Sequence, residues 1–423
     1  MEYKQIELKK GIKLHTINTD KFKTNLISVF LTTKLSRENV TKNAVVSAIL
    51  RRGTKTMPSQ EEISKKMEEM YGASFDCGLD KTGDNQVLKF YLESVNDNFL
   101  PQKSEDMLKD SIEKLLEIVF NPYVENEGFK AQYVEQEKEN IRQRIEGKID
   151  NKARYSLDRC IEEMYKNQPF GLYKFGYVED LENINPKNLY EYYQKLISTC
   201  KIDIFVSGMI NEKINEVVLQ NENIQNLKER EANYVLPNEV NKELAQKENV
   251  VTESMEVTQG KLVLGLDVCL KEKEQRYCAL IYNTILGGSA NSKMFQNVRE
   301  KAHLAYVASS NYFRYKNNIF INCGIEIKNY EKALELTRQQ IEDIKQGKFT
   351  EEDIKNAKTG LIATIKTIDD EQDTGITYYF GQELAGSSVT VEEYMDYIQN
   401  VKKDDIVNVA QNVAINTIYF LRD

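Results

Sequence analysis

Two kinds of apolar spacing alternate along the chain. Residues 3–19, YKQIELKKGIKLHTINT, switch between polar and apolar positions on either side of Gly11 and predict a hairpin. NLISVFLTT continues as a strand. KNAVVSAILRR has helical period and length and stops at Gly53, where a helix-terminating glycine is expected. PSQEEISKKMEEMYG opens with Ser59 and Glu62 at capping-box spacing and predicts a second helix. ASFDCGLD and NQVLKFYLES read as strands joined by the turn KTGD. SEDMLKDSIEKLLEIVF, FKAQYVEQEKENIRQRIEGK and NPKNLYEYYQKLIST read as helices, and CKIDIFVSG as a short buried strand.

The same series then recurs. KLVLGLDVC takes the place of NLISVFLTT, and RYCALIYNTILGGS that of the first helix and its glycine. AYVASSNYF and IFINCGIEI repeat the strand pair, NYEKALELTRQQIEDIKQ and TEEDIKNAKTGLIATIKTI the helix pair, and NTIYFLRD the closing strand. Leu26 corresponds to Leu262 and Gly53 to Gly288, so the offset is nearly constant across unlike elements. That implies duplication of one unit of roughly 200 residues. The expected division is an N-terminal unit at 1–220, a polar linker at 221–248 and a C-terminal unit at 249–423. Strands joined by tight turns, with helices in blocks, favour the α+β class: two tandem units, each a mainly antiparallel sheet with helices packed on one face.

Composition narrows the function classes. The 423 residues carry a net charge of −9 with both signs interspersed, so the basic footprint of a nucleic-acid binder is missing. No apolar run has the length of a membrane span, and the first residues read as a strand rather than a signal peptide, so a cytoplasmic location without a membrane partner is expected. Six cysteines are scattered without a C-x-x-C pair and read as reduced thiols. His15 and His303, the two histidines, lie far apart and neither sits beside another nitrogen or sulfur ligand. A nucleophile elbow and a phosphate-binding loop are both absent. Locally, the stretch GGSANS reads as a helix stop followed by an N-cap.

LGGSANSKMFQNVREKAHLAYVASS, residues 286–310, is the most specific stretch. A glycine-rich turn (Gly287, Gly288), a helix ending in Arg299–Glu300, and Leu304 and Tyr306 opening a strand follow one another. With the tandem units and the helix that ends in R-G-T, this stretch resembles the pitrilysin/insulinase family of zinc peptidases, the inverzincins. The likeness runs through nearly the whole chain in order of elements.

Active members of that family carry H-x-x-E-H on the helix before G-T. Counted back from Gly53, those places hold Ala44, Ser47 and Ala48, none of which can ligate zinc or act as the carboxylate base. The more distant glutamate ligand of the family falls on Arg144, while Glu137 and Glu139 are kept. The resemblance therefore implies a chain that holds no metal or other cofactor of its own and has no independent peptidase activity. It further implies a heterodimer with a homologous zinc-binding subunit, or a homodimer in isolation. To a peptide substrate in the partner's site, this chain would contribute Arg299 and Tyr306 in trans, with Gly287, Gly288 and Ser289 lying against the peptide. Two alternatives stay open: Arg299–Glu300 as an ordinary charged helix end with Tyr306 a plain strand residue, and the whole chain as a structural scaffold subunit with no part in cleavage.

Overall fold

The computed structural model describes residues 2–100, 106–210, 213–237, 240 and 242–423. The chain forms two compact units. One comprises 1–147, 172–235 and 369–381; the other comprises 148–171, 236–368 and 382–423.

The first unit is built on a six-stranded sheet. Its strands are β1 (Glu2–Lys9), β2 (Ile12–Asn18), β3 (Thr24–Lys34), β4 (Ser74–Thr82), β5 (Asn85–Val95) and, after the two-residue pair β6 (Val124–Glu125) and β7 (Gly128–Phe129), β8 (Lys201–Gly208). The order is β1-β2-β8-β3-β5-β4, and only the β2–β8 pairing is parallel. The second unit carries β9 (Asn249–Ser254), β10 (Gly260–Val268), β11 (Ala305–Phe313), β12 (Asn318–Ile325) and β13 (Val413–Arg422) in the order β11-β12-β10-β13-β9, again with one parallel pairing, β13–β9. Laid over each other, the two orders coincide strand for strand, with β1 as an addition. The expected duplication and the antiparallel-rich α+β class are thus both present.

The predicted helices form at Val40–Ile49, Gln60–Glu69, Met107–Phe120, Ala131–Glu146 and Pro186–Thr199 in the first half, and at Gln275–Leu286, Tyr330–Lys345 and Glu351–Lys366 in the second. Ser104 and Glu105, expected to open the third of these, lie outside the described residues, as do three residues of the expected linker. Ser59 caps its helix, its Oγ accepting from the Glu62 amide at 3.2 Å. Gly53 ends the first helix differently from expectation. Its φ of 165° is extended rather than left-handed, and what demands glycine there is the Pro58 carbonyl, 2.5 Å from where a Cβ would sit.

Alternation decides what each sheet face buries. In β3, Ile27, Val29 and Leu31 enter the main core with Ile202, Ile204 and Val206 of β8. Phe30, with Phe205 of β8, points the other way, onto Phe380 at 4.4 Å from Phe30. Tyr379 stacks on Tyr3 at 4.0 Å. Both aromatics belong to the helix Gln372–Leu384, from the far end of the chain. The second unit shows the converse. The helix Lys152–Met164, from the first half of the chain, brings Tyr155, Cys160 and Ile161 onto Val263, Phe320 and Tyr419. On that helix Tyr155 donates to Glu253 at 2.5 Å and Arg159 to the same carboxylate at 3.0 Å. Each unit is therefore completed by a helix that its own half of the sequence does not encode.

Candidate functional site

The helix Val40–Ile49 places Ala44, Ser47 and Ala48 on one side, as residues three and four apart must be. They line a cleft of about 510 Å³ in the first unit, together with Arg51, Arg52, Cys77, Glu137 and Arg144. The long helix Ala131–Glu146 supplies Glu137 and Arg144, so the two segments singled out by sequence do meet.

Their chemistry does not fit zinc. Ala44 and Ala48 have no donor. Ser47 gives its hydroxyl to the Gly78 carbonyl at 3.2 Å. Glu137 is buried and engaged by Arg52 Nε and, at 3.0 Å, by the Asn140 amide. Glu139 is exposed and accepts from Gln143 at 3.0 Å. Burial raises the Cys77 thiol above its ordinary value, which keeps it protonated. Among the described residues, no three His, Cys, Asp or Glu side chains are gathered as a metal site requires. Three guanidinium groups face one carboxylate here, the reverse of the charge balance a divalent cation needs.

His15 is a core residue. Fully buried, it bonds Asp203 through Nε2 at 3.0 Å and the Tyr3 hydroxyl through Nδ1 at 2.8 Å, and stacks on Phe205 at 4.2 Å.

In the second unit, the helix Gln275–Leu286 ends at the two glycines. Neither has a positive φ, so backbone freedom is not what they supply. A Cβ on Gly287 would stand 2.6 Å from the Ser310 amide, and Gly287 O accepts from that amide at 2.9 Å. At Gly288 the obstruction is Thr284 Cα at 3.0 Å. The glycines let the helix end close onto β11. Ser289 is exposed, its hydroxyl 3.4 Å from the Thr284 carbonyl.

The helix that follows, Met294–Lys301, is wound wider than an α-helix: the Ala302 amide bonds the Asn297 carbonyl five residues back. It ends in His303 at φ 52°, a left-handed residue that turns the chain into β11. At the start of that strand the pairing slips between Ala305 and Val307, so Tyr306 is the extra residue of a β-bulge. Its side chain is consequently thrown outward, with the residue 65% exposed. Arg299, half-buried, contacts the Phe295 ring at 4.5 Å and Glu300 at 3.5 Å. Arg299 and Tyr306 share an open cleft of about 270 Å³ with His303, Leu304 and Glu326. The family resemblance marked the arginine and the tyrosine. The left-handed histidine and the bulge that aim them belong to backbone register, which hydropathy does not encode.

Comparison with known proteins places these features. Residues 183–361 match the family described as "Peptidase M16 inactive domain". A Bacillus subtilis (strain 168) protein named probable inactive metalloprotease YmfF is 34% identical over 415 residues, covering 97% of this chain and 96% of its own length. A Rickettsia felis protein named uncharacterized zinc protease is 24% identical over 328 residues, 73% of each chain. The crystal structure of a conserved protein from Enterococcus faecalis V583 superposes with a TM-score of 0.91 at 28% identity, over 100% of this chain and 99% of that one. A peptidase M16 inactive domain from Pseudomonas fluorescens gives 0.80 at 14% identity over 100% and 98%, a likeness of fold alone. With a cleft whose side chains do not fit zinc and kinship along nearly its whole length, the chain belongs to the pitrilysin/insulinase (M16) family of peptidases and stands with its inactive members.

Proposed function

We propose that this chain is the zinc-less subunit of a two-chain peptidase, lending Arg299 and Tyr306 to the active site of a homologous partner that carries H-x-x-E-H. The observation that carries the reading is the bulge at Tyr306, which holds a large aromatic side chain outward beside a half-buried arginine, over an open cleft. Exposing a tyrosine at the start of a strand brings this chain no packing benefit. Bulges next to functional sites commonly re-aim one side chain in this way. Arg299 would grip a carbonyl of the bound peptide through its planar fork, and Tyr306 would donate to the oxygen that becomes negative in the transition state. Metal chemistry would belong to the partner. In isolation the chain would be monomeric or self-paired.

A second reading has its own support. Arg299 already rests on Phe295 and Glu300 of the same helix, as an ordinary charged helix end does. In that case the chain is a scaffold.

The deciding experiment is co-expression with a homologue bearing H-x-x-E-H, followed by light scattering and turnover of unfolded peptides. A stable one-to-one complex, active only with both chains, is expected. Tyr306→Phe should leave the assembly intact and lower turnover by about 100- to 1,000-fold, the usual cost of one oxyanion donor. Unchanged turnover in an assembly that requires this chain establishes the scaffold instead.

A further inference from the structure

At the far end of the β11–β12 hairpin, away from Tyr306 along the strand, lies a pocket that the reading above does not use. The turn 314–317 returns the chain between the strands. Asn317 sits at φ 47° and accepts from the Tyr312 hydroxyl at 2.7 Å, which fixes the turn. Arg314, the first residue of the turn, lines a pocket of about 100 Å³ with Arg276, Tyr277, Tyr312, Gln382 and Tyr394. Two guanidinium groups thus meet in one small enclosure, and among the described residues no Asp or Glu lines it.

Arg276 is satisfied locally, donating to the Tyr277 hydroxyl at 2.9 Å. Arg314 is not. Its Nε and its Nη2 are both shut off from solvent without a hydrogen-bond partner, and the Gln382 side-chain oxygen is in the same condition. A buried donor left unmade is costly, and a charged one more so. Nε and one Nη form the side edge of a guanidinium, where two parallel N–H bonds match the two oxygens of a carboxylate. The Gln382 amide, whose oxygen and nitrogen exchange places by a half-turn, can present a further donor there.

We propose that this pocket is a carboxylate-binding site, in which a turn of the Arg314 side chain brings Nε and Nη2 onto the ligand's two oxygens and its short apolar part lies against the tyrosine rings. The volume equals roughly three waters of liquid, enough for a carboxylate and one or two further carbons. Such a group is either a free short-chain acid or the C-terminal end of a peptide.

The test is titration of the full chain near neutral pH in a chloride buffer free of other anions, followed by calorimetry and thermal unfolding. The probes are propionate, a tripeptide with a free C-terminus, its C-terminal amide, and inorganic phosphate. Propionate or the free tripeptide should bind and raise the unfolding midpoint, and the amide should do neither. Binding by propionate alone identifies a small acid as the ligand, and binding by the tripeptide identifies a peptide terminus. Arg314→Lys keeps the charge and loses the fork, so its Kd should rise about tenfold or more. Arg276→Gln should weaken binding as well, and it serves as the readout where circular dichroism finds the Arg314 variant unfolded. The proposal is overturned by phosphate binding alone, by failure of every carboxylate at millimolar concentration, or by folded variants that bind as the wild type does.

Discussion

The Arg144 guanidinium stands over the ring of Phe175, its central carbon 5.5 Å from the ring centre, in the cleft that Ala44 and Ala48 line. We propose that this cation takes the place of the family's distal carboxylate ligand. The purified chain should contain no stoichiometric zinc and cleave no peptide, as elemental analysis and a peptide assay will establish. Ala44→His, Ser47→Glu and Ala48→His together should still bind zinc poorly. Adding Arg144→Glu should tighten binding by about tenfold or more, since it removes a positive charge and restores a ligand. One tightly held zinc in the wild-type chain, lost together with activity on chelation, would refute this account of the cleft.

Arg299→Lys tests the other half of the proposed pair. Lysine keeps the charge but not the planar fork, and a carbonyl is bound in the ground state as well as in the transition state. In the reconstituted complex KM should therefore rise about tenfold, with a smaller effect on kcat. Steady-state kinetics beside those of Tyr306→Phe will separate the two roles, and a wild-type KM excludes substrate binding by Arg299.

Gly287→Ala should destabilise the second unit. The added methyl would press against the backbone of Ser310 at 2.6 Å, and backbone cannot swing aside as a flexible side chain can. Overpacking of this kind costs about 1–3 kcal/mol, measurable as a lower midpoint in urea. An unchanged midpoint would mean that the helix end and β11 part easily.

Asp203 gives the fold an acid limit. Burial alone would raise its carboxyl, but the Lys201 ammonium and the hydrogen bond from His15 outweigh burial and hold it at about 2, below the ordinary 3.8. A depressed carboxyl stabilises the native state fully above its unfolded value. That contribution drains away as pH falls from 3.8 toward 2. Asp203→Asn removes the carboxylate that pairs with the Lys201 ammonium in the core and should cost about 3–5 kcal/mol at neutral pH. It should also flatten the loss of stability between pH 4 and 2, an outcome that urea titrations at several pH values will check.

Much of this was legible in the chain. The 3.6-residue spacing located Val40–Ile49, Ala131–Glu146 and Glu351–Lys366, and the near-constant offset revealed the repeated sheet order. The degenerate helix was readable because a ligand set is a matter of residue type. What escaped was partnership and register. NVVTES has too few apolar positions to announce β9, which relies on its parallel pairing with β13. Tyr379 and Phe380 signal burial, yet nothing in their spacing says that they cover Phe30, some 350 positions earlier. The bulge at Tyr306 and the dry edge of Arg314 depend on which carbonyl each amide finds, and that is settled only when the strands pair.

The exchanged helices bear on how the protein is made. A chain leaving the ribosome meets its N-terminal sequence first, and domains commonly close as they emerge. Here the aromatic cover over Phe30 and Tyr3 arrives with residues 369–381, long after the strands it covers. The first sheet must wait for those residues with that face open to water, and a transcript cut between the two halves would yield neither unit whole.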